Sequence, residues 1–191
     1  LTQLERAAKE TTAAYQKASL KLSASRAAAA KKLDKAVTAE LTPLKLERAS
    51  FVTHIVTDEA SASPDGFDRV EFWVQTNPGS RPGPLTKVAS GGELARFMLA
   101  LKVVLADRGS ASTLVFDEID TGVGGAVADA IGQRLARLSG KVQVLCVTHA
   151  PQVAANAARH FLIAKESIGK GERVATRVAD MDADARREEL A

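Results

Sequence analysis

The feature that most limits what this chain can fold into is its opening: residues 1–42 contain neither glycine nor proline. Small or apolar side chains recur there at Leu1, Leu4, Ala8, Thr11, Tyr15, Ala18, Leu22, Ser25 and Ala29, in alternating steps of three and four. That is the seam of a coiled coil. The spacing then becomes Leu33, Val37, Leu41, a stutter that locally unwinds a supercoil. A seam so rich in Ala, Ser and Thr predicts a long helix that packs closely but weakly on a second strand. No other stretch of the chain offers a helix of that length, so the strand is expected elsewhere; a helix lying on its own domain is the competing expectation. Residues 1–48 carry ten Lys/Arg against five Asp/Glu, while the whole chain has a net charge of +3. Such a surplus attracts nucleic acid, although a solvated helix face has the same composition.

From Pro43 onward the texture changes. "FVTHIV" (Phe51–Val56) and "RVEFWVQT" (Arg69–Thr76) are β-branched and aromatic runs separated by the turn-rich "SASPDGFD", which predicts an antiparallel pair. A helix is expected over Gly91–Ala106, a buried strand over Ser112–Glu118, a helix over Gly124–Ser139 and a second buried strand over Lys141–His149. A short helix after Pro151 follows, then "HFLIAKES" and "RVATRVAD" as strands that close the sheet, and a final acidic helix. Strands alternating with helices indicate an α/β domain with a mostly parallel sheet. One cysteine, Cys146, excludes an internal disulfide and fits a reducing compartment. No apolar run approaches the roughly 20 residues of a membrane span, and no secretory signal is visible. The start at Leu1 and the close on "RREELA" read as a fragment of something longer.

Three stretches carry chemistry. "KVASGGELARFMLALKVVL" (Lys87–Leu105) opens a helix on two glycines, where each helical glycine costs roughly 1 kcal/mol. Ser90 and Glu93 have the spacing of a capping box, the commoner explanation for this stretch taken by itself. A capping box does not need Gly91 and Gly92; deleting side chains at a helix start leaves room for an anion such as phosphate. "STLVFDE" is an apolar run ending in Asp117 and Glu118, at the strand end where open α/β sheets place ligands. In nucleotide hydrolases the first acid of such a pair holds Mg²⁺ and the second deprotonates the attacking water; an acidic turn after a core strand is the plainer alternative. "VLCVTHAP" brings Thr148 and His149 to the same edge, where a histidine can meet a γ-phosphate. His54 and His160 read as structural.

In this order and spacing the series resembles the ABC-type ATPase head. "ASGGE" (Ala89–Glu93) is similar to the signature motif, "TLVFDE" to Walker B with its catalytic glutamate, "IDTG" (Ile119–Gly122) to the D-loop and His149 to the switch histidine. The heptad arm narrows the resemblance to the SMC-like branch, and "NPG", "PLTKVASGGELARFMLALK", "FDEIDTGVGG" and "VLCVTHAPQVAA" to the bacterial members that act in DNA double-strand-break repair. The resemblance covers about residue 50 to the end and implies a coiled-coil arm segment over 1–48 and the C-terminal lobe of an ATPase head over 49–191. It implies ATP and Mg²⁺ as cofactors, with Ser90, Gly91, Gly92 and Glu93 on the γ-phosphate of ATP held by a second head. It further implies Asp117 on the metal, Glu118 as general base, His149 on the γ-phosphate and Asp120 crossing the interface of an ATP-dependent homodimer. DNA is the implied partner, no membrane is, and the implied location is the bacterial cytoplasm at the nucleoid.

No G-x-x-x-x-G-K-[ST] occurs in the chain, so the phosphate-cradling P-loop is absent from it. In the family that loop lies on an N-terminal lobe, beyond two coiled-coil strands, which makes that lobe an expected partner and this chain by itself inactive. Two other classes share the features. A transporter's nucleotide-binding domain has the same motifs but not a basic heptad arm running into the head. An interaction module for DNA or protein could carry the motifs without activity.

Overall fold

The computed structural model describes residues 2–88, 91–106, 111–168 and 173–190. They form two compact units, Leu1–Ser90 and Gly91–Ala191.

The first unit begins with α1 (Thr2–Leu41), a 40-residue helix uninterrupted by any breaker. It stops where Pro43 enters a short 3₁₀ turn, and Lys45, at φ 58°, takes the left-handed conformation that reverses the chain. Leu46 N–H closes the end by donating to Leu41 O at 3.1 Å. Strand β1 (Ser50–Thr57) then pairs antiparallel with β2 (Asp68–Gln75), in a register that sets Phe51 opposite Val74 and His54 opposite Glu71. Strand β3 (Gly83–Pro84) adds to the other edge of β2, and the short α2 (Leu85–Val88) ends the unit. Val37, Leu41, Leu44, Phe51, Phe67 and Val74 form its buried core.

The lower part of α1 lies on this hairpin, which was the competing expectation for the helix. Its docked stripe runs beside the heptad seam through Ser19, Ser23, Arg26, Ala30 and Asp34 and joins the later apolar spacing at Val37 and Leu41. Ser23 and Arg26 donate to Asp68, at 2.8 and 3.0 Å, and Asp34 accepts from Thr53 N–H at 2.8 Å and from its hydroxyl at 2.7 Å. Tyr15 caps the contact, edge-on to Phe67 and donating its hydroxyl to Ser63 O at 2.8 Å. Seam residues further up stay open: Leu4 is 76% exposed.

The second unit begins with α3 (Gly91–Val104), followed by β4 (Thr113–Phe116), α4 (Gly125–Ser139) and β5 (Gln143–Cys146). Strands β4 and β5 are parallel, Thr113 opposite Gln143 and Phe116 opposite Cys146, joined by α4 as a βαβ crossover. Phe97 and Leu99 of α3, Ile119, and Ile131 and Leu138 of α4 are buried together. Helix α5 (Pro151–Ala155) packs on α4 across Gly132, where an added Cβ would come within 2.6 Å of Asn156 Nδ2. Strands β6 (Phe161–Ile168) and β7 (Arg173–Asp180) precede the terminal α6 (Ala183–Leu190).

The architecture is mixed α/β, as expected, with one correction. Strands β6 and β7 do not close the sheet of β4 and β5. They pair with each other, antiparallel from Phe161–Asp180 to Ile168–Arg173, so among the described residues the parallel character resides in one strand pair. Two strands close in sequence satisfy each other's ladders locally, and β-branched composition does not say which edge a strand joins.

Candidate nucleotide site at the carboxyl edge of the parallel pair

Strand β4 ends at the buried Phe116, and the chain then makes a tight turn that sorts the next residues by direction. Asp117 and Glu118 are exposed, while Ile119 is fully buried and Asp120 nearly so. The sorting is produced at Glu118, whose φ of 54° is left-handed, a conformation that L side chains adopt at a cost of about 1–2 kcal/mol. Thr121 N–H donates to Glu118 O at 3.2 Å and Val123 N–H to Asp120 O at 3.3 Å, which closes the turn. Strain of this kind persists where the surroundings enforce it, commonly at functional sites.

Beyond β5 the ladder continues one step, Val147 N–H donating to Phe116 O at 2.9 Å. Thr148 and His149 therefore leave the sheet beside Asp117 and Glu118. Asp117, Glu118 and His149 present exposed side chains that hydrogen-bond to no described residue. Asp120, for which the resemblance implies a place at an interface, is 4% exposed within this lobe. Its Oδ2 accepts from the Thr148 hydroxyl and, at 3.3 Å, from Ala150 N–H. His54 and His160 are structural, as read: His54 stacks on Trp73 at 4.3 Å, and His160 Nε2 contacts Ala154 O at 2.5 Å, at the end of α5.

The start of α3 adjoins the same turn. Ser90 lies outside the described residues. An added Cβ on Gly91 would meet nothing within 4 Å, and one on Gly92 would reach only ordinary contact, 3.5 Å from Thr121 O and 3.6 Å from the Arg96 guanidinium. Packing inside this unit therefore does not demand the two glycines, and Gly91 leaves open space at a helix start. Glu93 lies within electrostatic reach of Arg96, whose buried guanidinium is held below its ordinary pKa chiefly by desolvation. Arg96 Nε and Asp120 Oδ1 are buried without a hydrogen-bond partner among the described residues.

The local field is negative. Burial, then the charges of Asp120 and Asp117, push the Cys146 thiol up to about 11. No cluster of three or more His, Cys, Asp or Glu side chains among the described residues makes a metal cage. Mg²⁺ does not require one, because it binds through one or two carboxylates together with substrate phosphates. An exposed, uncommitted Asp117 at a strand end fits that donor set.

The sequence motifs did not disclose the inward turn of Asp120 or the buried Arg96. The one available signal was Thr148, a hydroxyl directly before the histidine. Among the described residues no helix is long and apolar enough to cross a membrane.

No model of a protein family matches the chain. It is 43% identical over 177 residues to a Rickettsia bellii protein named DNA repair protein RecN, covering 93% of this chain and 32% of that protein. A Vibrio cholerae protein of the same name is 42% identical over 171 residues, covering 90% and 30%. A third, from Xylella fastidiosa, is 40% identical over 192 residues, covering 100% and 34%. The chain thus spans about a third of the length of these relatives. Among solved structures it is similar to the Smc head domain with a coiled coil and joint from Pyrococcus yayanosii, with a TM-score of 0.58 at 20% identity, over 83% of this chain and 28% of that one. The Pyrococcus furiosus Smc head with an extended coiled coil, bound to the C-terminal domain of ScpA, gives 0.56 at 17% identity, over 83% and 36%. These likenesses show that the fold is that of an SMC head.

Proposed function

We propose, from the homology of this chain to the DNA repair proteins named RecN, that it is the signature-bearing lobe of an SMC-type head that hydrolyses ATP in DNA double-strand-break repair. The observation that carries the reading is the convergence of Asp117, Glu118 and His149, exposed and uncommitted, at the carboxyl edge of β4 and β5. Glu118 acts as general base, taking a proton from the water that attacks the γ-phosphorus. His149 donates a hydrogen bond to a γ-phosphate oxygen. Asp117 is the protein ligand of Mg²⁺, an ion that neutralises phosphate charge when bound.

The lobe is half of a site. An N-terminal lobe of the same protein supplies the P-loop, and the bare apolar surface of the second unit supports such a cover. Val115, Leu145 and Val147 on one face of the parallel pair are 67%, 47% and 51% exposed, whereas parallel sheets are ordinarily covered on both faces. Ser90, Gly91, Gly92 and Glu93 meet the γ-phosphate of ATP held by a second head, so nucleotide joins two heads into a homodimer and hydrolysis releases them. The open space at Gly91 is what such an approach needs. Residues 1–48 form the base of the arm that transmits this cycle to DNA, within a protein acting in the bacterial cytoplasm at the nucleoid.

Replacing Ser90 by Arg in the full-length protein tests the reading. ATP binding at each P-loop should persist within about twofold while ATP-dependent dimerisation, followed by light scattering, is lost. Dimerisation at wild-type ATP concentrations would place the helix start outside the interface.

A further inference from the structure

One side chain joins the turn after β4 to the turn after β5. Asp120 lies two residues beyond Glu118, and between them Ile119 is fully buried, which anchors the segment. Asp120 Oδ2 accepts from the Thr148 hydroxyl and from Ala150 N–H, and that N–H is shared with Thr148 Oγ1 at 3.0 Å. The residues on both sides of His149 are thereby tied to one carboxylate, while the imidazole between them stays exposed. Oδ1 of the same carboxylate is buried without a partner among the described residues. Desolvating a charged oxygen in this way is unfavourable, so a position serving packing alone would be better filled by an apolar group.

We propose that Asp120 is a positioning residue that, with Thr148, forms a latch within one lobe and fixes His149 relative to Glu118. The proposal rests on the reading of the lobe as half of an ATPase site. In that reaction the latch sets the distance between the group that activates water and the group that contacts the phosphate. A misplacement of about 1 Å between such groups can cost about 100-fold in rate. The Thr148 hydroxyl, not the bulk of its side chain, is what the latch requires.

The test compares Asp120→Ala, Thr148→Val and Thr148→Ser in the full-length protein. Three quantities are read: steady-state ATP hydrolysis, ATP-dependent dimerisation, and amide hydrogen exchange of the peptide containing Ala150 without nucleotide. Asp120→Ala and Thr148→Val should lower kcat by about 10- to 100-fold with KM within about twofold. Dimerisation should remain intact, and exchange at Ala150 should accelerate about tenfold or more. Thr148→Ser should match wild type in all three, and Asp120→Ala should add little to His149→Ala because both act through the imidazole. Loss of dimerisation in Asp120→Ala with a silent Thr148→Val would overturn the proposal in favour of a role across the interface. Unchanged exchange at Ala150 in both variants would show that the latch does not exist. If the wild-type protein hydrolyses no ATP, the reading of the site fails, while the exchange measurement still decides whether the latch forms.

Discussion

Glu118 and Cys146 show how little room single residues have at this strand edge. Glu118 occupies a backbone conformation better suited to glycine, and the result is an exposed carboxylate beside a fully buried Ile119. Cys146, the last residue of β5, sits among charges of one sign. Burial comes first and Asp120 and Asp117 second in raising its thiol from 9.0 to about 11. An acid raised in this way keeps its proton through the alkaline range in which an ordinary thiol ionises. At pH 8 the thiolate is then about 100-fold scarcer than for an unperturbed thiol, and alkylation by iodoacetamide should slow by a comparable factor. Because the chain has one cysteine, mass spectrometry reads this site without assignment. Asp117→Asn should speed labelling by removing one of the like charges; an unchanged rate would mean that Asp117 lies too far away to contribute to the field. The acidic pair was legible in "VFDE", since an apolar run ending in two carboxylates is a pattern of residue types. The inward turn of Asp120 was not, because "IDTG" records composition and not the side-chain direction imposed by a left-handed residue two positions earlier.

Among the elements, α1 departs furthest from its pattern. Apolar periodicity located the helix and its end at Pro43, but the stripe that docks on the hairpin is fastened by Ser23, Arg26 and Asp34, which no hydrophobic count registers. Asp68 is the centre of that attachment. Burial works to raise its pKa, but hydrogen bonds from Arg26, Thr57 and Ser23 outweigh it, and the carboxyl is held below the ordinary 3.8. A depressed carboxyl stabilises the fold above its unfolded pKa and loses that contribution as pH falls through the folded value. Asp68→Ala should therefore cost roughly 2 kcal/mol in urea unfolding at neutral pH, a deficit that shrinks only below pH 3.8. A deficit that vanishes already near pH 6 would assign the stability to another group. Elsewhere local pattern served well. The antiparallel pair expected at 51–56 and 69–76 is found at Ser50–Thr57 and Asp68–Gln75, and the helix expected over 91–106 at Gly91–Val104. Sheet membership of β6 and β7 failed because ladder partners are chosen in three dimensions, and both candidate edges looked alike in sequence.

At the scale of the molecule, the chain fits the proposed reading as one lobe of a larger head. Its motifs follow in the order of an SMC-type head but omit the P-loop. It spans about a third of its relatives' length, and its parallel pair leaves Val115 and Leu145 in the open. That much of the function was legible because nucleotide chemistry needs particular residue types at particular strand ends. What covers the sheet was not, because exposed apolar residues such as Val115 and Leu145 carry no record of the surface that would meet them. Glu118 is the proposed general base of an ATPase site completed by a second lobe. The most direct measurement is Mg²⁺-dependent ATP hydrolysis by this chain mixed with a separately produced P-loop lobe, comparing wild type with Glu118→Gln. Hydrolysis in the wild-type mixture, absent from either part and from the Glu118→Gln mixture, is the predicted result. Wild-type rates with Glu118→Gln, or no hydrolysis in a mixture shown to associate, would contradict it.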